Sequence, residues 1–169
     1  PSIIDIKNIS LKPNSSILEI GAGMGAITKT LCEKGSKVTA VELSKERAEA
    51  IKLRCDKYDN LEIIVANFND ITFEEKFDYI TLIGVLEYAQ LYTDGQNPFE
   101  DFLKKIKRLL KPNGKLLIAI ENRFGLKYWC GAIEDHFAKS FVGIRNYENT
   151  NSVKTFSKNK ITTILNNSG

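Results

Sequence analysis

The sequence predicts an α/β protein with a doubly wound, mostly parallel sheet. Three observations lead to this prediction: apolar runs of strand length, segments with helical spacing between them, and glycine or proline at the boundaries. Alternation of this kind is typical of parallel sheets with helices on both faces. With 169 residues, of which 43% are hydrophobic, the chain suits a single domain (1–169) that has a sizeable core.

The first strand spans Ser16–Ile20 and runs directly into glycines. A helix follows over 24–34 and stops at another glycine. The second strand covers 37–41, and Ser44 is then a suitable N-cap for a helix that reaches about Tyr58. We expect four side chains of that helix to point inward or half-inward: Ala48, Ile51, Leu53 and Cys55.

The third and fourth strands are expected over 61–65 and 78–83. Pro98 suits the first turn of a helix, because a missing N–H costs nothing there, and the Lys-Pro-Asn-Gly segment at 111–114 ends that helix. The fifth strand, 115–120, is almost entirely apolar, which is typical of a strand covered on both faces.

After the fifth strand the alternation fails. Residues 121–156 form a long aromatic and polar stretch, and loops of that length inside a domain are usually functional. A final helix over 157–167 begins at Ser157 as its N-cap and carries an apolar face made of Ile161, Ile164 and Leu165. The domain therefore divides into a first part (15–120), this loop region and the final helix.

The overall charge does not predict a nucleic-acid or membrane partner. Lys and Arg total 24 against 21 acidic residues, an excess too small to predict binding to nucleic acid or to a membrane surface. Apolar runs reach only strand length, so we expect no membrane span. Three scattered cysteines favour neither a disulfide framework nor a metal site, and they fit a reducing, cytoplasmic setting.

A glycine-rich loop is the sharpest motif of the chain. Gly21, Gly23 and Gly25 lie between the first strand and the first helix, where glycine lets the backbone approach a ligand and the helix offers free N–H groups. The same spacing, with Ala26, satisfies the dinucleotide fingerprint. The glycines alone therefore do not distinguish an NAD site from a site for another adenosine ligand.

Two acidic residues narrow that choice. Glu19 comes two residues before the first glycine, where it would repel a pyrophosphate but attract the ammonium and sulfonium of S-adenosylmethionine. The alternative is that Glu19 is a solvated acid at a strand end. Glu42 ends the second strand, 21 residues after Gly21, where an acid commonly accepts hydrogen bonds from ribose hydroxyls.

With these motifs the chain resembles the class I S-adenosylmethionine-dependent methyltransferases. The matching segments follow the family's order and spacing between about residues 15 and 120: they are 17–25, 41–42, 66–68, 77–80, 84–88 and 110–115. The resemblance implies a Rossmann-like sheet and makes 15–120 the cofactor half, with S-adenosyl-L-methionine as cofactor. The family's sheet ends in an antiparallel hairpin, so we expect this stretch to stop before that hairpin, leaving an open edge that could favour a homodimer.

The resemblance also implies roles for individual residues. Gly21, Gly23 and Gly25 would line the methionine and ribose, with Glu42 on the ribose hydroxyls. Asn67 and Phe68 would lie beside the adenine, and the segment from Gly84 to Leu86 against the methionyl part. The family more often has Asp at position 67, and the alternative is that Asn67 is a turn residue.

The loop region 121–156 is the expected acceptor side. A hydroxyl acceptor usually needs a base to remove its proton. Glu121 follows the fifth strand and should lie on the rim of the ligand crevice. His136 is the chain's single histidine, with acids at positions 134 and 135, and its ordinary pKa of about 6.5 suits a base. The alternative is a structural, hydrogen-bonded histidine.

The same region resembles a subset of methyltransferases associated with bacterial polysaccharide biosynthesis and glycosyltransferases. The similar residues are those of 121–129, 131–132, 134–136, 141–144, 147 and 155–157. This implies O-methylation of a saccharide or another small polar acceptor, in a glycosyltransferase-linked context. Tyr128 and Trp129 could pack on a sugar ring, although packing of the loop is the expected role of Trp129. The alternatives are an NAD(P)-dependent oxidoreductase and a non-catalytic S-adenosylmethionine-binding module.

Overall fold

A parallel sheet of five strands organises the part of the chain that this computed structural model describes, residues 10–148 and 152–169. In chain order the strands are β1 (Ser16–Ile20), β2 (Lys37–Glu42), β3 (Leu61–Val65), β4 (Phe77–Ile83) and β5 (Leu110–Ala119). Their spatial order is β3-β2-β1-β4-β5, and every neighbouring pair is parallel. The predicted fold class is therefore confirmed.

The described chain falls into two compact units. The first contains the sheet and comprises 10–83 together with Arg108–Ala119. The second comprises Gly84–Lys107 with 120–148 and 152–169. Among the residues that the structure describes, no helix is both long and apolar enough to cross a membrane.

The centre of the first unit is β1, which has β2 on one side and β4 on the other. Its apolar residues Ile17 and Leu18 are fully buried, as is Val38 of β2. The strand order reverses at β1, and in such sheets ligands bind beyond the carboxyl ends of the strands at the reversal. This topology places the glycine-rich loop, which follows β1, at the expected ligand crevice.

The two helices of this unit are shorter than predicted. Helix α1 (Ala26–Glu33) begins only after Gly25, whose φ of 79° is left-handed and cannot belong to a right-handed helix. Helix α2 (Lys45–Arg54) begins at the predicted N-cap, where Ser44 Oγ accepts the Arg47 N–H at 3.3 Å, but it ends before Tyr58.

The inward placement of Leu53 is wrong, since this side chain is 79% exposed. Ile51 fills the buried face of α2, and a residue two positions further along a helix points to the opposite side. The other three predicted positions, Ala48, Ile51 and Cys55, are buried.

Strand β5 also differs from the prediction. It begins at Leu110 and includes the segment 111–114, because the pairing jumps from Phe77↔Leu110 to Tyr79↔Lys115 and four residues bulge out. A Cβ on Gly114 would lie 2.9 Å from the carbonyl oxygen of Phe77, so this close approach requires glycine. The apolar residues of β5 are half-buried, as at an outer strand, and the prediction of full cover on both faces is wrong.

The second unit is built from helices and turns. Its helices are α3 (Ala89–Tyr92), α4 (Pro98–Arg108, whose last residue belongs to the first unit), α5 (Leu126–Trp129) and α6 (Lys158–Ser168). Helix α4 starts at the predicted proline, and α6 starts after Ser157, whose Oγ accepts the Lys160 N–H at 3.3 Å. Phe99 and Phe156 pack edge to face at 4.9 Å between ring centroids.

Candidate active site

The glycine-rich loop is anchored to the neighbouring strand. The N–H groups of Gly21 and Ala22 both donate to the carbonyl of Val41 in β2, at 2.9 and 3.1 Å. Gly23 has a φ of 58°, and a Cβ built there would meet no atom within 4 Å. The position therefore needs glycine for its backbone conformation, while the space beside it is open.

Gly25 is required for a different reason. A Cβ at this residue would lie 3.1 Å from the Cα of Ile51, in addition to the left-handed φ of 79°. The glycine thus lets the start of α1 pack against α2. The loop thus packs closely on Ile51 at Gly25 and leaves open space beside the backbone at Gly23, which suits a ligand-binding turn.

The carboxylate of Glu42 bridges this loop and the turn before α2. Its Oε2 accepts the Gly23 N–H at 2.8 Å, and its Oε1 accepts the Ser44 N–H at 3.0 Å. The side chain is buried, so these bonds hold it in one orientation. A carboxylate has about four acceptor positions, so each oxygen can still accept one more hydrogen bond.

Glu19 is a second buried carboxylate of the first unit. It lies on β1 opposite Ala40 of β2 and is 4% exposed, and its Oε2 has no hydrogen-bond partner among the described residues. Burial raises its pKa from 4.5 to about 7; the Thr28 side chain opposes this rise and the charge of Glu42 adds to it. A buried carboxylate oxygen without a partner is costly, and a cationic ligand would remove that cost.

Asn67 and Phe68 follow β3 and begin a short 3₁₀ turn. The Asn67 side-chain oxygen accepts the Asn69 N–H at 3.0 Å, which is the arrangement expected of a turn residue. Phe68 is buried and packs on Phe73, with 6.3 Å between ring centroids. The side chains predicted to lie beside the adenine are thus engaged within the protein.

Three apolar residues that the sequence did not mark as functional lie near the carboxyl ends of β1, β2 and β3. Met24 in the glycine loop, Leu43 after β2 and Val65 at the end of β3 are all exposed. Val65 is the register partner of Glu42, so Leu43 and Val65 lie on neighbouring strand ends. The hydrophobic periodicity of the sequence could not predict their exposure, because each residue lies at or beyond the end of a strand.

The remaining predicted cofactor residues, Gly84 and Leu86, lie at the start of the second unit. Gly84 directly follows β4 and has a φ of 64°. The Leu86 side chain is fully buried, so its side chain is not available to a ligand. Their role in cofactor binding stays a prediction, and only the backbone of this segment remains available for it.

His136 lies among buried acids of the second unit. Its backbone N–H donates to Glu134 Oε2 at 2.7 Å, and its Nδ1 is 3.2 Å from Glu134 Oε1. On the other side of the ring, Nε2 lies 4.0 Å from Glu87 Oε1. The edge of the ring system also packs against Tyr88, at 5.5 Å between centroids.

Glu87 was not singled out by the sequence. It is 3% exposed, and its Oε2 has no hydrogen-bond partner within the described part of the chain. Burial raises its pKa; the nearby His136 opposes this rise and the charge of Glu121 adds to it. Its place in the Gly-Val-Leu-Glu-Tyr segment (84–88) was the available signal, since that segment matched the family.

Glu121 belongs to a separate cluster of the same unit. Its Oε2 and the Oδ2 of Asp135 each lie 2.5 Å from the hydroxyl of Tyr128, which has one proton to donate, and Lys127 pairs with both acids. Burial, with the two carboxylates, raises the pKa of Tyr128, while hydrogen bonds hold the pKa of Asp135 below its ordinary range. No direct bond joins Glu121 to His136 among the described contacts.

The two aromatic residues proposed for the acceptor side differ in burial. Tyr128 is 3% exposed and is part of the core of its unit. Trp129 is 57% exposed and pairs with Phe124, with 6.2 Å between ring centroids. The expectation that Trp129 packs the loop is therefore wrong, because the short helix α5 turns Tyr128 inward and its neighbour outward.

The comparisons with known proteins agree with this geometry. Residues 18–118 match the methyltransferase domain family, and the chain belongs to that family. It is similar to the demethylmenaquinone methyltransferase of Tropheryma whipplei (strain Twist), with 28% identity over 113 residues that cover 66% of this chain and 44% of that protein. It is also similar to the ribosomal RNA small subunit methyltransferase A of Mycoplasma mycoides subsp. mycoides SC, with 28% identity over 91% of this chain and 58% of the relative.

A solved structure shows the same relationship. A coclaurine N-methyltransferase bound to N-methylheliamine and SAH matches with a TM-score of 0.56 and 27% identity, covering 64% of this chain and 31% of that one. The chain thus spans less than two thirds of the length of each of these three proteins.

Proposed function

We propose that this chain binds S-adenosylmethionine and transfers its methyl group to an acceptor. The observation that carries the proposal is the buried, unpartnered Oε2 of Glu19 beside the glycine-rich loop. Bound there, the cofactor would bring an ammonium and a sulfonium, and the sulfonium supplies an activated methyl group. The residues present fit such a ligand, because a cation is the partner that a buried carboxylate lacks.

The alternative of an NAD(P)-dependent oxidoreductase is weaker. A pyrophosphate beside Glu19 and Glu42 would place like charges together in a partly dry cleft. Membership of the methyltransferase domain family also favours methyl transfer. A non-catalytic binding module would share the cofactor site, so only an assay of transfer separates it from an enzyme.

Within this proposal, the first unit supplies the nucleoside contacts. Glu42 accepts from the ribose hydroxyls through the acceptor positions that its backbone bonds leave open. Leu43 and Val65 offer exposed apolar surface for the adenine ring. We assign Asn67 and Phe68 a lesser part, as residues that shape the turn after β3.

For the acceptor we propose a hydroxyl of a saccharide or another small polar molecule. The support comes from His136, whose ring is held by the buried carboxylate of Glu134, and from the exposed pair Phe124 and Trp129, whose aromatic faces suit sugar C–H surfaces. In this scheme His136 takes the proton of the attacking hydroxyl. Glu121 orients the Tyr128–Asp135 cluster, and its charge acts on Glu87, the acid that faces the base.

The named relatives differ in acceptor, so they do not fix this part of the proposal. One is named for a quinone, one for ribosomal RNA and one for an amine substrate. The small positive charge, with 24 basic and 21 acidic residues, favours a small acceptor over RNA. We further propose that the protein works in the cytoplasm, in a glycosyltransferase-linked context or as a homodimer.

The cofactor proposal is tested by ligand-dependent melting. S-adenosylhomocysteine should raise the melting temperature, and NAD(P) should leave it unchanged. Transfer is tested next with radiolabelled S-adenosylmethionine and a panel of saccharides, with ribosomal RNA as the competing acceptor. Labelled RNA together with unlabelled saccharides would overturn the acceptor assignment and leave the cofactor assignment standing.

A further inference from the structure

We infer that Glu134 is a positioning residue that fixes the tautomer of His136, with the proton on Nδ1 and the lone pair on Nε2. The inference rests on the proposed function only for its catalytic meaning, since the tautomer itself can be observed without an acceptor. Glu134 is almost wholly buried and lies two residues before His136.

The geometry leaves one protonation pattern for the ring. Glu134 holds both the backbone and the ring of His136, with the backbone N–H on Oε2 at 2.7 Å and Nδ1 on Oε1 at 3.2 Å. A carboxylate can only accept hydrogen bonds, so the ring nitrogen that faces it must be the donor. Nδ1 therefore carries the proton of the neutral ring.

A buried support holds Glu134 in turn. The Tyr147 hydroxyl donates to Glu134 Oε1 at 3.2 Å, and the hydroxyl oxygen of Tyr147 accepts the Thr155 N–H at 3.1 Å. Both Tyr147 and Thr155 are buried. A hydrogen-bonded chain of this kind fixes side-chain rotamers, as a positioned catalytic group requires.

The loop that carries Tyr147 is built for this contact. Tyr147 has a φ of 56°, which is unusual for a bulky residue. A Cβ on Gly143 would lie 3.1 Å from the Tyr147 hydroxyl, so the glycine leaves room for the hydroxyl at this position. Unfavourable backbone conformations persist where the surroundings determine them, and this one delivers the hydroxyl to Glu134.

The consequence concerns the opposite edge of the ring. With Nδ1 protonated, Nε2 presents its lone pair toward Glu87, whose Oε1 is 4.0 Å away. That separation is too long for a direct hydrogen bond, which leaves the Nε2 lone pair available to a ligand hydroxyl. A hydroxyl seated there would donate its proton to Nε2, which is the direction a base requires.

Replacement of Glu134 by glutamine gives a sharp expectation. The amide keeps one accepting oxygen, but its NH₂ group must face either the His136 backbone N–H or the ring nitrogen. The backbone N–H cannot change its protonation, whereas the ring can move its proton to Nε2. Glu134→Gln should therefore invert the tautomer and remove the lone pair from Nε2.

Nitrogen-15 NMR of histidine-labelled protein tests this directly, because the chain contains one histidine. In the pH range where the ring is neutral, two-bond ¹⁵N–¹H correlations should report the Nδ1–H tautomer in the wild type and the Nε2–H tautomer in Glu134→Gln. The matched control is Glu148→Gln, an exposed acid of the same unit, which should keep the wild-type pattern.

Two results would overturn the inference. One is an Nε2–H tautomer in the wild-type protein, which needs no variant and so does not depend on the folding of Glu134→Gln. The other is an unchanged Nδ1–H tautomer in a folded Glu134→Gln. The proposed function fails separately, if no methyl transfer is detected while the NMR result holds. Unaltered transfer in His136→Ala would remove only the role of His136 as the base.

Discussion

The Glu42 Oε2 accepts the backbone N–H of Gly23 at 2.8 Å, which ties the end of β2 to the glycine-rich loop. The other oxygen holds the Ser44 N–H at 3.0 Å. An acid predicted only as a ribose ligand therefore has a second task, since it shapes the loop before any ligand arrives. Because Glu42 has both roles, its replacement should change cofactor affinity and the stability of the free protein, and the two quantities need separate measurements.

Glu42→Ala should lower both cofactor affinity and the stability of the free protein. Loss of the ribose hydrogen bonds should weaken S-adenosylhomocysteine binding tenfold or more, from about 1.5–3 kcal/mol for bonds to a charged group. The two abandoned N–H groups should lower the free energy of unfolding by about 1–3 kcal/mol. Calorimetry and urea denaturation measure these quantities, and Glu49→Ala, an exposed acid of α2, is the control. Unchanged affinity would remove Glu42 from the ribose.

Glu19→Gln should stabilise the free protein at alkaline pH. A carboxyl whose pKa is raised from 4.5 to about 7 contributes stability below pH 4.5 that is lost as the pH rises through 7. The glutamine has no charge to desolvate, so above pH 7 the variant should exceed the wild type by on the order of 3 kcal/mol. Near pH 4.5 the two proteins should be equally stable. Urea melts at both pH values measure the gap, and a gap that is independent of pH contradicts the assignment.

Cofactor affinity should rise with pH in the same window. A cationic ligand favours the charged form of Glu19, so binding releases a proton from a group with a pKa of about 7. The affinity for S-adenosylmethionine should increase from pH 5.5 to about 7 and then level off. Titration calorimetry in two buffers of different ionisation enthalpy measures the released proton. Absence of proton release near pH 6, or an identical release in Glu19→Gln, would show that another group is titrating.

The two loop glycines should respond differently to alanine. Both positions have a left-handed φ, which costs about 1–2 kcal/mol for alanine. Gly25→Ala also places a Cβ 3.1 Å from Ile51 Cα, so it should lose more stability than Gly23→Ala. Gly23→Ala faces open space and should mainly weaken cofactor binding. Equal losses of stability in the two variants would contradict the packing described for α1 on α2.

His136→Ala should spare cofactor binding and slow methyl transfer. A general base typically contributes about 100-fold or more to the rate. The measurements are the dissociation constant of S-adenosylhomocysteine and the turnover number with the best saccharide of the panel. A variant with full turnover would mean that the acceptor needs no base from this residue.

Much of the unit that contains the sheet could be predicted from the sequence. The glycine loop, Glu19 and Glu42 are local features, fixed by the end of one strand and the start of the next element. The predicted strand Ser16–Ile20 and the cap at Ser44 follow from the same local chemistry. Nothing local, however, indicates that β5 begins early through a bulge at 111–114. That bulge depends on how closely Gly114 approaches β4.

The region proposed as the acceptor side was less predictable, because the sequence does not show which of its side chains are buried. Tyr128 and Trp129 are adjacent and chemically alike, and only the turn of α5 decides which one is exposed. Glu87 and Glu134 look like ordinary surface acids in the sequence, yet both are buried around His136. Long-range packing places such residues, and periodicity carries no signal for it.

Isothermal titration calorimetry of the protein with S-adenosylhomocysteine, alongside NAD, tests the central claim most directly. The buried carboxylate of Glu19 predicts saturable binding of S-adenosylhomocysteine, weakened in Glu19→Gln, and no measurable heat with NAD. Binding of NAD without binding of S-adenosylhomocysteine would contradict the account.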